Sequence, residues 1–246
     1  MALCCGNSDL RKLSKLLGCL CIPSYRSALV THGVAAAIEH EPILRALRSR
    51  TVVDIGANRG QFALVARRTF PTAIILSVEP LDAPAARFRE VFGADPQVLL
   101  HECAVGPERK DATIHVSRRD DSSSLLPIAP SQTAVFPGTG TAGTATVRVA
   151  PLDEFISAEQ IEAPALLKLD VQGYELEALR GCETLLHRFA HVYCECSFVE
   201  LYEGQALADE VTAWLRERGF ALRGVYNMHY DRSGRAIQAD FLFSRA

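Results

Sequence analysis

The stretch Thr51-Val52-Val53-Asp54-Ile55-Gly56-Ala57-Asn58-Arg59-Gly60 decides the fold. Its valines and isoleucine read as a short buried strand, because side chains branched at Cβ pack well on a pleated surface. The glycines that follow let the backbone turn sharply and approach a ligand closely, and helical spacing resumes at Gln61. A strand, a Gly-rich turn and a helix make a nucleotide-binding corner. The start of the helix offers unpaired N–H groups and a positive dipole end. Asp54 adds a carboxylate at the strand's C-terminal edge, beside the same crevice.

Outward from this corner the same unit recurs. Apolar runs at 73–78, 98–104, 165–170 and 191–195 alternate with helical spacing at 83–92, 175–186 and 206–218, a rhythm that implies a parallel, right-handed, doubly wound sheet. Runs at 221–226 and 237–243, joined through Asp231-Arg232-Ser233-Gly234, predict a closing antiparallel hairpin. Residues 112–117 and 144–149 alternate like exposed strands of a second hairpin. Between them, 118–143 is rich in Ser, Thr, Gly and Pro and is expected to be a mobile insertion serving as a substrate lid.

Residues 1–48 read as a helical extension before a catalytic domain at 49–246. Helical spacing runs over 27–47 with an interruption expected at Pro42. Ahead of it, Leu10, Leu13, Leu16 and Leu17 predict a short amphipathic helix that packs on the domain, with contact to a membrane surface as the alternative.

Composition narrows the function. A chain of 246 residues with 48% hydrophobic content can bury one sizeable core. A net charge of −3 and a pI near 6.2 give no electrostatic footprint for nucleic acid. The eight cysteines contain no C-x-x-C pair, and Cys194 and Cys196 alternate on one strand face as small core residues, so a reduced, cytoplasmic protein is expected. No apolar stretch approaches the ~20 residues that cross a bilayer.

The turn Gly56-x-Asn58-x-Gly60 lacks the G-x-G-x-x-G spacing of dinucleotide binders, which disfavours a nicotinamide oxidoreductase. It resembles motif I of the class I S-adenosylmethionine-dependent methyltransferases, in which an acid precedes a glycine-rich turn that packs against the amino-acid part of the cofactor. Nineteen residues after Gly60 (79 minus 60), Glu79 ends a second apolar run, where a ribose-binding carboxylate is expected. Asp54, Gly56, Asn58, Gly60 and Glu79 are thus the candidate cofactor set.

The resemblance becomes more specific when the pieces are taken in order: the motif around Asp54, then Glu79-Pro80, Ala104-Val105-Gly106, Ser122-Ser123-Ser124, Leu152-Asp153-Glu154-Phe155, the run Leu167-Lys168-Leu169-Asp170-Val171-Gln172-Gly173-Tyr174-Glu175, and Glu195 with Glu200. Over roughly residues 52–243 the chain is identified as a member of the FkbM methyltransferases. The resemblance implies a Rossmann-like class I fold, with a seven-stranded, mainly parallel sheet, a C-terminal antiparallel hairpin and helices on both faces. It also implies O-methylation, often of sugars in glycolipids, polysaccharides or antibiotics. Many relatives have glutamate where this chain has Gln172.

The chemistry sets its own demands. A sulfonium methyl is already activated, so the protein must align an in-line attack and remove a proton from a hydroxyl. Asp170 and Glu195 fall at the C-terminal ends of strands, where ligands sit in open α/β sheets, and are the leading base candidates. Two such acids could instead hold Mg²⁺. His229, in the terminal hairpin, is a further candidate base. A binding module on a degraded fold is the non-enzymatic alternative.

Overall fold

The computed structural model describes residues 15–245, so Leu10, Leu13, Cys4 and Cys5 lie outside the described residues. The organising strand β1 (Thr51–Ile55) is buried along its whole length, and α3 (Gln61–Thr69) starts where the sequence predicts. Ahead of them come α1 (Pro23–His32) and α2 (Glu41–Arg45), and after them β2 (Ile74–Val78), α4 (Asp82–Phe92) and β3 (Val98–His101). The second half of the sheet consists of β7 (Ala165–Leu169), β8 (His191–Ser197), β9 (Phe220–Tyr230) and β10 (Ala236–Arg245), with α6 (Glu175–Gly181) and α7 (Ala208–Glu217) between strands.

Seven strands form one sheet in the order β3-β2-β1-β7-β8-β10-β9. The first five are mutually parallel, and β10 runs antiparallel to both β8 and β9. This is the class I methyltransferase-like α/β fold, and helices cover both of its faces. Because strand side chains alternate in direction, Val52, Leu166, Tyr193 and Leu242 share a core with α1–α4, while Val53, Leu167, Val192 and Phe243 share another with α6 and α7. The order reverses between β1 and β7, and a crevice opens there beyond the strand ends.

Three details differ from the sequence reading. The run at 98–104 is not one strand: the chain leaves β3 at His101, and β4 (Ala104–Val105) joins a separate three-stranded sheet with β5 (Lys110–Ser117) and β6 (Thr141–Ala150). Pro42 does not interrupt a helix. It sits in the first turn of α2, where its missing N–H costs nothing, and the real break follows Gly33. The helical residues 15–21 dock through Cys19, which is fully buried, whereas Leu16 and Leu17 are exposed.

The insertion between β5 and β6 carries a 3₁₀ turn (Asp120–Ser122) and a short helix, α5 (Pro130–Val135). Leu126, Ile128, Val135 and Phe136 pack against Leu201, Tyr202 and Ile237 in a small third core. Arg59 reaches from the β1 turn to Asp120 Oδ2 through Nε at 2.8 Å and Nη2 at 2.5 Å, fastening the segment over the crevice.

Candidate active site

The β1 turn is built around Gly56, at φ 80°. A Cβ there would stand 1.9 Å from the carbonyl oxygen of Asp170, so only glycine lets the ends of β1 and β7 meet. Asn58 follows in the left-handed region at φ 46°, and its Oδ1 accepts the N–H of Arg59 at 2.8 Å, the kind of local bond that makes this conformation tolerable for asparagine. Gly60, at φ 91°, caps α3 beneath Phe92 and faces the protein, not the crevice. Of the candidate cofactor residues, Gly56, Asn58 and Glu79 line the cleft.

Glu79 is buried, at 5% exposure. Its Oε2 accepts the Asn58 N–H and its Oε1 the Leu81 N–H, both at 2.9 Å. Two donors leave about half of a carboxylate's acceptor capacity free, enough for a vicinal diol. Burial pushes this carboxyl up to about 7, although the Leu81 and Asn58 N–H groups oppose the shift.

Asp54 takes a different role from the one its sequence position suggests. It is fully buried and does not line the cleft. In register it stands beside Lys168 of β7, so both side chains leave the same face of the sheet, and Asp54 Oδ1 is 3.1 Å from Lys168 Nζ. Lys168 Nζ also lies 3.7 Å from Asp170 Oδ2 and 5.3 Å from the centre of the Phe62 ring. Burial works to lower the lysine's pKa, but Asp54 and Asp170 outweigh it and hold the group above its ordinary range.

After β7 the chain turns through Asp170 to Gly173. Glu175 Oε1 closes the turn by accepting the N–H groups of Val171 at 3.1 Å and Gly173 at 3.0 Å, and burial pushes that carboxyl up to about 7. Asp170 does not cap α6, whose N-cap is Tyr174 with no side-chain bond, and its side chain, 38% exposed, stays open to the cleft. Gln172 is in the left-handed region at φ 54°, and its Nε2 donates both to Asp170 Oδ1 at 2.7 Å and to Glu195 Oε2 at 3.1 Å. Its Oε1 lies 2.7 Å from the Tyr202 hydroxyl.

This arrangement corrects the Mg²⁺ reading of Asp170 and Glu195. An amide NH₂ bridges the two acids where a cation would have to sit, and among the described residues no group of three or more metal-type side chains could hold an ion. Glu195 is withdrawn from the cleft: its Oε1 accepts from Gln238 Nε2 at 2.8 Å, and burial, followed by the charges of Asp170, Asp240 and Glu175, raises its pKa well above the ordinary range. His229 is exposed on β9, edge-on to Phe136 at 5.8 Å between ring centres, and does not line the cleft. Of the three candidate bases, the structure brings only Asp170 to the cavity.

The cavity itself has a volume near 1140 Å³, open mouth included. Gly56, Asn58 and Glu79 form one end; Lys168, Asp170 and Gln172 form another wall; Asp120, Ser123 and Ser124 of the insertion close a third. His40, which no sequence motif singles out, lines it too. Lys168 was legible as a lone charge inside a strand buried on both faces, whereas His40 carried no such signal.

Comparison with known proteins agrees with this geometry. A family profile described as "Methyltransferase FkbM domain" matches residues 54–222. The chain is 29% identical over 160 residues to the 2-O-methyltransferase NoeI of Sinorhizobium fredii, covering 63% of this chain and 66% of the relative. It is 26% identical over 147 residues to Methyltransferase 1 of Beauveria bassiana, covering 54% and 58%. The chain thus spans less than two thirds of each curated relative it matches. Among solved structures, a Klebsiella pneumoniae protein provisionally described as an O-methyltransferase superposes with a TM-score of 0.51 at 14% identity, covering 92% of this chain and 91% of that one, a likeness of fold. The profile takes in the β1 turn, Glu79 and the whole of β7 with its turn, and the chain belongs to the FkbM methyltransferase family.

Proposed function

We propose that the protein transfers the methyl group of S-adenosylmethionine to a hydroxyl oxygen of a carbohydrate acceptor, free or lipid-linked. The observation that carries this reading is the single cleft in which Glu79 stands at one end and Asp170, beside Lys168, on another wall. The chain's residues fit the cofactor: Glu79 keeps two acceptor positions for the ribose hydroxyls, and Leu81, Cys103 and Val105 offer an apolar wall for the base. When bound, S-adenosylmethionine supplies an electrophilic methyl group. Asp170 accepts a hydrogen bond from the acceptor hydroxyl and so orients its oxygen. Asp120, Ser123, Ser124 and Gln172 give the cleft a polar side suited to a polyol, and the printed name of the S. fredii relative supports oxygen as the methylated atom. No helix among the described residues is long and apolar enough to cross a membrane, while the exposed Leu16 and Leu17 suit contact with a lipid surface.

The test begins with calorimetric titration of S-adenosylhomocysteine into wild type and Glu79→Ala, in parallel with NADH. Saturable binding of the first ligand, weakened by the substitution, is expected; binding of NADH instead would overturn the reading. A screen of methyl glycosides and glycolipids then seeks turnover. Asp170→Asn should lose transfer by about 100-fold or more with cofactor affinity kept within about twofold. Equal loss of both would make Asp170 structural.

A further inference from the structure

His40 stands at the head of α2, between the extension and the sheet. Its Nδ1 edge faces a buried polar cluster at the sheet surface: Tyr193 Oη of β8 at 3.0 Å, Asp240 Oδ2 of β10 at 3.5 Å and Asn227 Nδ2 of β9 at 3.3 Å. Asn227 is fixed by donating to Asp240 Oδ2 at 2.7 Å, and it takes the left-handed conformation, φ 48°, to do so. The ring is gripped edge-on by Phe62 and Tyr193, with centres 5.4 and 5.6 Å away. Because the outward directions of Nδ1 and Nε2 diverge widely around the imidazole ring, this grip turns Nε2 away from the cluster, and His40 lines the cleft. No hydrogen bond links Nε2 to a described residue. The other ionisable groups around it are Lys168 with Asp54, and Glu39, paired with Lys15 at 2.8 Å.

Building on the methyltransferase reading, we propose that His40 is the general base of the transfer, with Tyr193 and Asp240 as its positioning residues. The Asn227 amide places its hydrogens on Asp240 Oδ2 at 2.7 Å and Tyr193 Oη at 3.4 Å, so the Nδ1–H donates towards Tyr193 and the Asp240 carboxylate and the Nε2 lone pair is left facing the acceptor, the logic by which a buried acid fixes a histidine's tautomer. The acceptor's hydroxyl oxygen supplies the electron pair of the new O–CH₃ bond, the departing sulfur keeps the pair of the broken C–S bond, and the hydroxyl proton ends on Nε2. Asp170 orients the same hydroxyl without removing its proton. The assignment explains why a histidine outside the matched family span is built into the cleft by contacts 153 and 187 residues away in sequence.

Two measurements test it. Nitrogen-15 spectra of the free protein should show His40 protonated at Nδ1 and bare at Nε2; the opposite tautomer overturns the proposal whether or not an acceptor has been found. With methyl glycosides as acceptors and saturating cofactor, His40→Gln should lower kcat by about 100-fold to 10,000-fold, remove the acid limb of the pH–rate profile and keep S-adenosylhomocysteine affinity within about twofold. Added imidazole should restore part of the rate to His40→Ala. Turnover within about threefold of wild type, or an unchanged acid limb, overturns it. If wild type fails to bind S-adenosylhomocysteine, the methyltransferase reading itself falls, and the base assignment with it.

Discussion

Glu79 should make cofactor affinity depend on pH. Its carboxyl is raised to about 7 because it is buried with only two backbone donors. A ribose diol donates to the charged form, so binding requires a carboxylate and must expel a proton wherever the free protein holds one. Between about pH 8 and about pH 6 the ionised share falls from roughly nine tenths to one tenth, which weakens binding about tenfold, or about 1.4 kcal/mol. Calorimetry of S-adenosylhomocysteine in buffers of differing ionisation heat reads both quantities: affinity falls below neutrality, and proton release approaches about one per site near pH 6. Glu79→Gln should bind more weakly with no slope. A wild-type affinity that is flat across this range, or the same slope in the variant, would refute the reasoning. The free protein carries the opposite dependence. A carboxyl raised from 4.5 to about 7 contributes stability that is fully present below the lower value and is lost as pH rises through the higher one, so apo-protein melting should fall over that window and the ligand should offset the loss.

Further expectations follow from the packing. Lys168→Met leaves Asp54 fully buried without its cation, and urea unfolding should show a loss of about 3–5 kcal/mol; a loss under about 1 kcal/mol would mean that the pair is not what holds β1 to β7. Gly56→Ala must open a 1.9 Å approach to at least about 3 Å, so the β1 and β7 ends separate; circular dichroism should persist while S-adenosylhomocysteine binding falls more than about tenfold, and unchanged binding would contradict the geometry. Arg59→Ala removes the tie to Asp120, a partly exposed pair whose loss should cost under about 1 kcal/mol globally; hydrogen exchange should nonetheless quicken over residues 118–126, and unaltered protection there would show that the insertion is held by its own core alone.

What the sequence disclosed, and what it withheld, follows from the range of the interactions involved. The strand β1 and helix α3 were legible to the residue because local pattern marks both: a five-residue run in which four side chains are branched at Cβ, then a turn whose left-handed positions fall on Gly56, Asn58 and Gly60. The split of 98–104 was not, since leaving one sheet for another depends on where β6 lies, some forty residues onward. Pro42 misled because proline ends a helix in the interior but begins one in the first turn, and the difference rests on where the N-cap falls.

The site shows the same limit more sharply. Asp54 and Asp170 look alike in sequence, each an acid at the C-terminal end of an apolar run, and strand-end position predicts a crevice carboxylate for both. They diverge because β1 and β7 are neighbours in register, a pairing made across more than a hundred residues. Asp54 falls opposite Lys168 and is sealed against it, whereas Asp170, past the strand's end, meets that lysine from the cleft side and stays open. The same ladder continues from Lys168 to Tyr193, whose hydroxyl receives His40 from a helix that precedes the whole sheet in sequence. Residue type can thus announce that a strand end bears on chemistry, but strand order decides which acid becomes structural and which faces substrate. A histidine brought in from the N-terminal side is visible only once that order is known.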